Sequence, residues 1–546
     1  MVFHGPFAQS IGLRSLERKN ALYSRLMPGC AYQSGKRLGW VMALGAALRF
    51  ACFCEVHATE PFRPHYHFTP EKNWVNDPNG LVFYQGEYHL FTQYNPFGDK
   101  WGHMSWGHAL SPDLVHWREL PVAIPESGGT MIFSGSAVVD WHNSSGFGTA
   151  RQPPLVAIYT GNRTSDGRQA QCIASSTDRG RNWNKFSGNP VLDVGSDNFR
   201  DPKVFWHEPT HRWVMVVSMA AQRRIEFYGS PNLRNWTLLS AFGPAGSTNG
   251  VWECPDLFPL HTDGTPSRSA WVLIVNVGTG SPAGGSGTQY FVGDFDGETF
   301  KPASTAKSSE PLWADYGRDC YAAVSWSDIP KTDGRRIWLG WMSNWEYAGD
   351  VPTAPWRNAV TIPRELSLRD TGQGMRLVQQ PVRELRRLRG RRSGFGGGSI
   401  DKANQWLRKK NIRGDSVELD AVFEPGHNGQ CGIRVLKSAD EQTVLGFDEV
   451  SQRVFVDRAH SGNVSFNKAF PGIHHAASRV IAGTVHFHVL IDACSIELFV
   501  NDGELVFTDL VFPSQSGRDI EFFARASAPL IRSAEEWPLR PAFAGR

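Results

Sequence analysis

Ser111-Pro112-Asp113-Leu114-Val115-His116-Trp117 is a turn followed by an indole, and it does not stand alone in this chain. Ser176-Thr177-Asp178 with Trp183 behind it, and Ser230-Pro231-Asn232-Leu233-Arg234-Asn235-Trp236, repeat the order of a Ser-x-Asp/Asn turn and a tryptophan at intervals of fifty to seventy residues. Asp and Asn mark sharp reversals because their side chains accept hydrogen bonds from the backbone two residues on. Between the turns run Leu155 to Thr160, Trp213 to Met219, Trp271 to Val277 and Ile337 to Met342, rich in the β-branched and aromatic residues that suit a pleated surface. One small sheet per repeat is the arrangement of a β-propeller; a generic β-sandwich with coincidental turns is the alternative.

The chain has 546 residues, more than the ~250–300 at which single cores stop growing, so two folded domains are expected. Lys and Arg total 56 against 53 Asp and Glu. This near-neutral balance argues against nucleic acid or another polyanion as partner and suits an uncharged substrate. Twenty tryptophans, 55 glycines and 34 prolines describe an all-β chain of short strands and tight turns with aromatic surfaces for sugar faces. Of eight cysteines, Cys30, Cys52 and Cys54 fall in the leader; the other five are widely spaced, with no Cys-x-x-Cys pair and no ligand-spaced histidines. Neither a metal site nor a cofactor is indicated.

Residues 1–58 read as a leader. Lys36-Arg37 precede the apolar run Leu38 to Leu48, and Val56-His57-Ala58 resembles a small-residue cleavage site, the layout of a secretory signal. The run is shorter than the ~20 residues of a membrane span, so the expectation is a secreted protein, extracellular or periplasmic, with no membrane association after cleavage.

Three acids stand in special settings. In Asn73-Trp74-Val75-Asn76-Asp77-Pro78-Asn79-Gly80, Pro78 and Gly80 argue against a long regular element, so Asp77 is expected on a sharp loop just before the strand-like Leu81-Val82-Phe83-Tyr84. Arg200-Asp201-Pro202 and Trp252-Glu253-Cys254-Pro255-Asp256 again set an acid at or near a proline, beside a cationic or aromatic neighbour. For a lone Asn-Asp-Pro, a turn closing a hairpin is the plainer reading; three such settings favour chemistry.

These stretches, together with Gln93-Tyr94-Asn95-Pro96, Trp106-Gly107-His108 and Phe133-Ser134-Gly135-Ser136, resemble in identity and order the invertase, inulinase and levanase family of glycoside hydrolases, family 32, from about His65 to about Phe523. The resemblance implies a five-bladed β-propeller catalytic domain followed by a C-terminal β-sandwich. It implies Asp77 as nucleophile, Glu253 as acid/base and Asp201 as stabiliser of the transition state, with Trp74, Asn76, Gln93, Trp101, Trp106, Phe133, Ser134, Arg200 and Trp345 around the terminal fructosyl unit. Retaining enzymes hold their two working carboxyls ~5–5.5 Å apart and inverting ones ~6.5–9.5 Å. The implied activity is exo-hydrolysis of inulin, levan or sucrose; a fructosyltransferase, or a non-catalytic fructan-binding protein, is the alternative. The aromatic, proline-rich stretches Trp341 to Tyr347 and Pro352 to Arg357 are expected to close the channel into a pocket. His103 and Asn358 depart from the family pattern, standing where asparagine and glycine are common.

The expected divisions are a leader at 1–58, the propeller at 59–385, a linker at 386–400 and the sandwich at 401–546. Arginines over 383–392 and the glycines of 396–398 suggest a solvated helix and a flexible tether. Beyond them, stretches such as Ser416 to Phe423, Thr443 to Asp448 and Thr484 to Asp492 alternate apolar with polar residues, as half-buried strands do. Asp492 to Phe499 matches a part of the family's second domain that is structural.

Overall fold

The structure is a computed structural model that describes residues 60–262, 265–303, 310–371 and 374–543. The leader reading therefore lies outside the described residues. Nearly all of their regular structure is strand, and the first part of it is a five-bladed propeller. The innermost strands of the blades, in chain order, are Asn73–Tyr84, Thr130–Val139, Phe199–His207, Trp252–Thr262 and Tyr321–Ser325. Each pairs antiparallel with the strand that follows it. The runs singled out for β-branched residues are the second strands of blades 2 to 5, at Leu155–Arg163, Arg212–Met219, Thr265–Val277 and Arg336–Met342. Blades 4 and 5 join through a single parallel pairing of Thr262 with Leu368. Blade 1 is tied to the end of the propeller chain by Trp356–Arg357, which pairs parallel to Asn73 and Trp74.

The turn-and-tryptophan repeat has one structural basis in all three copies. Leu114, Arg179 and Leu233, each just after the Asp or Asn, take the left-handed conformation, with φ of 65°, 62° and 64°. Asp113, Asp178 and Asn232 accept backbone N–H bonds that hold the turn. Each indole then folds back to donate to the carbonyl three residues earlier: Trp117 to Leu114, Trp183 to Gly180 and Trp236 to Leu233, at 3.0–3.1 Å. The polar turn and the indole make one self-satisfied unit between the two outer strands of a blade.

The C-terminal sheets have seven and five strands and face one another across a core that includes Leu419, Phe487 and Leu498 from one and Ile433, Leu445 and Phe447 from the other. Alternation located seven of these strands; the other five, Ser393–Phe395, Gly398–Ser399, Ile473–Ala477, Leu505–Leu510 and Leu530–Pro538, went unread. The connecting segment is ordered. Arg383–Leu388 is a 3₁₀-helix with Leu385 and Leu388 buried beneath its arginines. Gly398 pairs with Ile531 along a sheet edge, in place of a free tether. Ser399 then caps an α-helix, Ile400–Lys410, by accepting from the Lys402 N–H at 3.4 Å.

Candidate active site

All five inner strands break register with their neighbours at the same level. The skips fall between Val75 and Pro78, Ile132 and Gly135, Arg200 and Lys203, Glu253 and Asp256, and Tyr321 and Val324. A bulge drops residues out of the ladder and re-aims their side chains. Here it releases Asn76-Asp77, Phe133-Ser134, Asp201-Pro202 and Cys254-Pro255. Asp201, Cys254 and Ala322 hold the left-handed conformation at φ of 68°, 42° and 52°, each directly after the last paired residue of its strand. For non-glycine residues that is a strained choice, kept where the surrounding fold dictates it. Pro202 and Pro255 fall inside the bulges, where the ladder asks for no N–H. The expectation of a loop at Asp77 is thus corrected: the acid lies within a twelve-residue strand, and Pro78 is accommodated because the bulge interrupts the pairing.

The bulges bring the three acids together at one mouth. Cys254 joins two of them, its N–H donating to Asp201 Oδ2 at 3.0 Å and its thiol to Asp77 Oδ2 at 3.5 Å. Asp77 also accepts from Ser134 Oγ at 2.6 Å and Asn76 Nδ2 at 3.0 Å. Arg200 donates from Nε to Glu253 Oε1 at 3.0 Å and stands 4.0 Å from Asp201 Oδ2. The Tyr321 hydroxyl donates to Glu253 Oε2. Burial, and then the charge of Glu253, raise Asp77 above the ordinary carboxylate range, although Ser134, Asn76 and Cys254 pull the other way. Asp201 is raised to about 7, chiefly by burial, with Glu253 and Asp77 adding to the effect and Arg200 opposing it.

A cavity of about 170 Å³ opens over these groups, lined by Asn76, Asp77, Gln93, Trp101, Phe133, Ser134, Arg200, Asp201, Glu253 and Trp345. Ten of the twelve expected residues therefore meet in one place. Trp74 and Trp106 do not line it. Both are buried, and they act one layer behind: Trp74 Nε1 donates to Asn76 Oδ1 at 2.8 Å and Trp106 Nε1 to the Phe133 carbonyl at 3.0 Å, fixing two residues that do face the cavity. Of the stretch expected to close the channel, Trp345 reaches the rim, 37 % exposed and stacked on Trp74 with ring centres 6.2 Å apart. Trp341, Tyr347 and Trp356 are core residues. Tyr321 went unread because no turn or proline marks it. The two departures from the family pattern share a backbone cause: His103 and Asn358 sit at φ of 51° and 70°, the conformation that asparagine and glycine tolerate best.

A propeller whose mouth sets three carboxyls and an arginine around a small cavity is the equipment of a glycosidase. The chain belongs to the glycosyl hydrolases family 32: the family model for the N-terminal domain matches residues 67–381 and that for the C-terminal part matches 384–538. It is 51% identical over 487 residues to a levanase of Bacillus subtilis (strain 168), covering 88% of this chain and 71% of the levanase. It is 40% identical over 488 residues to an extracellular exo-inulinase of Aspergillus awamori, covering 83% of this chain and 90% of that one. Among solved structures, it superimposes on the exo-inulinase of A. awamori with a TM-score of 0.82 at 36% identity, covering 89% of this chain and 99% of that one. A fructofuranosidase of Schwanniomyces occidentalis complexed with fructose matches with a TM-score of 0.78 at 34% identity, over 88% and 99% of the two chains.

Proposed function

We propose that the protein is a retaining β-fructofuranosidase that removes single fructose units from the non-reducing ends of inulin or levan and also cleaves sucrose. In this reading Glu253 protonates the leaving oxygen while Asp77 attacks the anomeric carbon, and the glycosidic bond breaks as the fructosyl–Asp77 ester forms. Glu253 then takes a proton from water, which attacks the same carbon and releases fructose and the Asp77 carboxylate. Asp201 holds ring hydroxyls as positive charge develops, and Arg200 orients Glu253. The observation that carries the reading is the connection of Asp77, Asp201 and Glu253 through Cys254 and Arg200 at a single mouth.

The exo mode is supported by the cavity's small volume, with Trp345 and Trp101 at its rim. A pocket takes a chain end, whereas a groove would take its middle. Incubation with inulin and with levan, with products sized at low conversion, tests this: fructose alone is expected, and early tri- and tetrasaccharides would show endo action. The same assay at high sucrose separates hydrolysis, which releases fructose, from transfer, which builds oligosaccharides. We further place the enzyme outside the cell, as its named Aspergillus relative is; no helix among the described residues is long and apolar enough to cross a membrane. The domain divisions at 59–385, 386–400 and 401–546 are retained as part of this proposal.

A further inference from the structure

The inner strands have a second end. Asp201 lies at the catalytic mouth, and Phe205, four residues on along a strand rising ~3.3 Å per residue, is about 13 Å down the channel. The far ends of the inner strands of blades 2 to 5 line a second cavity there, with Val138 and Val139, Phe205 and Trp206, Leu257 and Pro259, and the segment after Ser325 in its walls. Its volume is about 720 Å³ against about 170 Å³ at the mouth. The two are separated by a polar plug, in which Lys203 Nζ reaches the Ser325 carbonyl and lies 3.2 Å from Asp256 Oδ2. The rear cavity therefore belongs to neither the substrate pocket nor a through-channel.

Its chemistry points to one class of ligand. Trp141 is 54 % exposed, an uncommon state for so large an apolar side chain, and it is held by an Nε1 bond to Asp328 Oδ1 at 2.9 Å. Trp206 is pinned by an Nε1 bond to Glu208 Oε2 at 2.8 Å, edge-on to Trp213 with ring centres 5.3 Å apart. Both indoles are thus oriented through their only donors; Trp141 leans on Tyr84 with ring centres 5.9 Å apart and Trp206 on His142 at 5.3 Å, and the part of each ring that lines the cavity remains for contact. The cavity lining carries Lys203, Lys331 and Arg336 against Glu208, Asp256 and Asp328, three cations and three carboxyls. That balance disfavours an ion of either sign and supplies both donors and acceptors, as a chain of hydroxyls requires. We propose that this rear cavity is a non-catalytic binding site for a neutral sugar chain, built on Trp141 and Trp206. It rests on the fructan reading only in the choice of polymer, and it would hold one part of a long substrate on the enzyme while an end is trimmed at the opposite mouth.

The test is electrophoresis through native gels containing inulin, levan or amylose, with Trp141→Ala and Trp206→Ala each placed in an Asp77→Asn background so that no polymer is consumed. The parent Asp77→Asn protein is expected to be retarded by a fructan, and each alanine variant to bind it at least about threefold more weakly. Retardation by amylose alone, lost in the same variants, would keep the site and change its sugar. In an otherwise wild-type chain, Trp141→Ala, at an exposed position, should leave sucrose kcat/KM within about twofold while raising the KM for inulin, since only long substrates reach both mouths. Unchanged retardation in both variants, or a parent protein retarded in none of the gels, overturns the proposal. A wild-type chain without sucrose turnover would defeat the proposed function but leave the gel result standing.

Discussion

Asp77 and Asp201 at the propeller mouth, and Asp492 and Glu497 where the sandwich meets the propeller, are all carboxyls removed from water, yet they fall on opposite sides of the ordinary carboxylate range. Asp492 accepts from the His65 N–H and the His67 ring at 2.7 Å, and Glu497 accepts from Arg364 at 2.7 Å, the Ile362 N–H at 2.9 Å and the far nitrogen of His67 at 2.9 Å. Burial alone would raise both acids, but these donors outweigh it and hold both low. His67, buried between them, is driven up to about 9 against its own desolvation. A second cluster nearby sets Arg458 2.6 Å from Asp319 and 2.8 Å from the Tyr347 hydroxyl. Asp315, beside the same Arg364, is nevertheless raised by burial, which outweighs Arg364 and Thr508. At the mouth three carboxyls stand with one arginine, and burial raises Asp77 and Asp201. Matched buried charge fixes how two domains meet; unmatched buried charge is left ready for protons and a developing cation.

The sharpest break between the regions is expected from the mouth. Asp77→Asn and Glu253→Gln should each lower sucrose kcat by about 10⁴-fold or more, on the order of 5 kcal/mol of barrier, with thermal unfolding almost unchanged. Initial rates and a melting curve check this, and azide should speed turnover of Glu253→Ala by attacking the fructosyl–enzyme without a base. An Asp77→Asn protein that kept more than about a tenth of its rate would remove the nucleophile assignment.

The interface should answer in stability. Arg364→Met leaves Glu497 and Asp315 buried beside a lost cation, and should cost about 3–5 kcal/mol in urea unfolding while sucrose kcat at 25 °C stays within about threefold. A large loss of kcat in protein shown to be folded would mean that the interface shapes the mouth after all.

A smaller effect is expected from pH. Asp201, at about 7 in the fold and 3.8 ordinarily, favours the folded state while protonated; that contribution is present at low pH and is lost as pH rises from about 4 through 7. His67, at about 9 against 6.5, contributes stability that is fully present below 6.5 and lost as pH rises through 9. Asp201→Asn should therefore lose activity and yet melt about 2 °C above the parent at pH 8, with the gap closing toward pH 5. A melting temperature below the parent's at pH 8 would show that Arg200 compensates the charge more fully than burial penalises it.

The smallest change concerns Asn358, whose side chain donates to the Val75 carbonyl at 3.1 Å just before the Asp77 bulge. Asn358→Gly removes that bond but also the left-handed strain at φ of 70°, so stability should move by less than about 1 kcal/mol either way. A loss of several kcal/mol would show that this one hydrogen bond, and no backbone preference, secures the bulge.

Much of this was legible along the chain. Ser-x-Asp/Asn turns with a trailing tryptophan marked three blades because each unit satisfies itself locally, from the left-handed residue to the indole N–H. Alternation found most sandwich strands because one face of each is buried. The three acids stood out because proline and a neighbouring arginine or tryptophan are local signals. Tyr321 and the Thr160 hydroxyl that accepts from the Asp201 N–H at 2.9 Å carried no such signal, since what makes them matter is a partner 41 to 68 residues away. Motif order, composition and turn chemistry were enough to read the family, the all-β class and the residue types of the chemistry. It took the folded chain to show that five bulges fall at one level, that Trp74 and Trp106 stand behind the pocket, and that Asp492 and Glu497 are matched where Asp77 and Asp201 are not. Those outcomes depend on the closure of the propeller and the docking of the sandwich, which set distances between residues that no local preference relates.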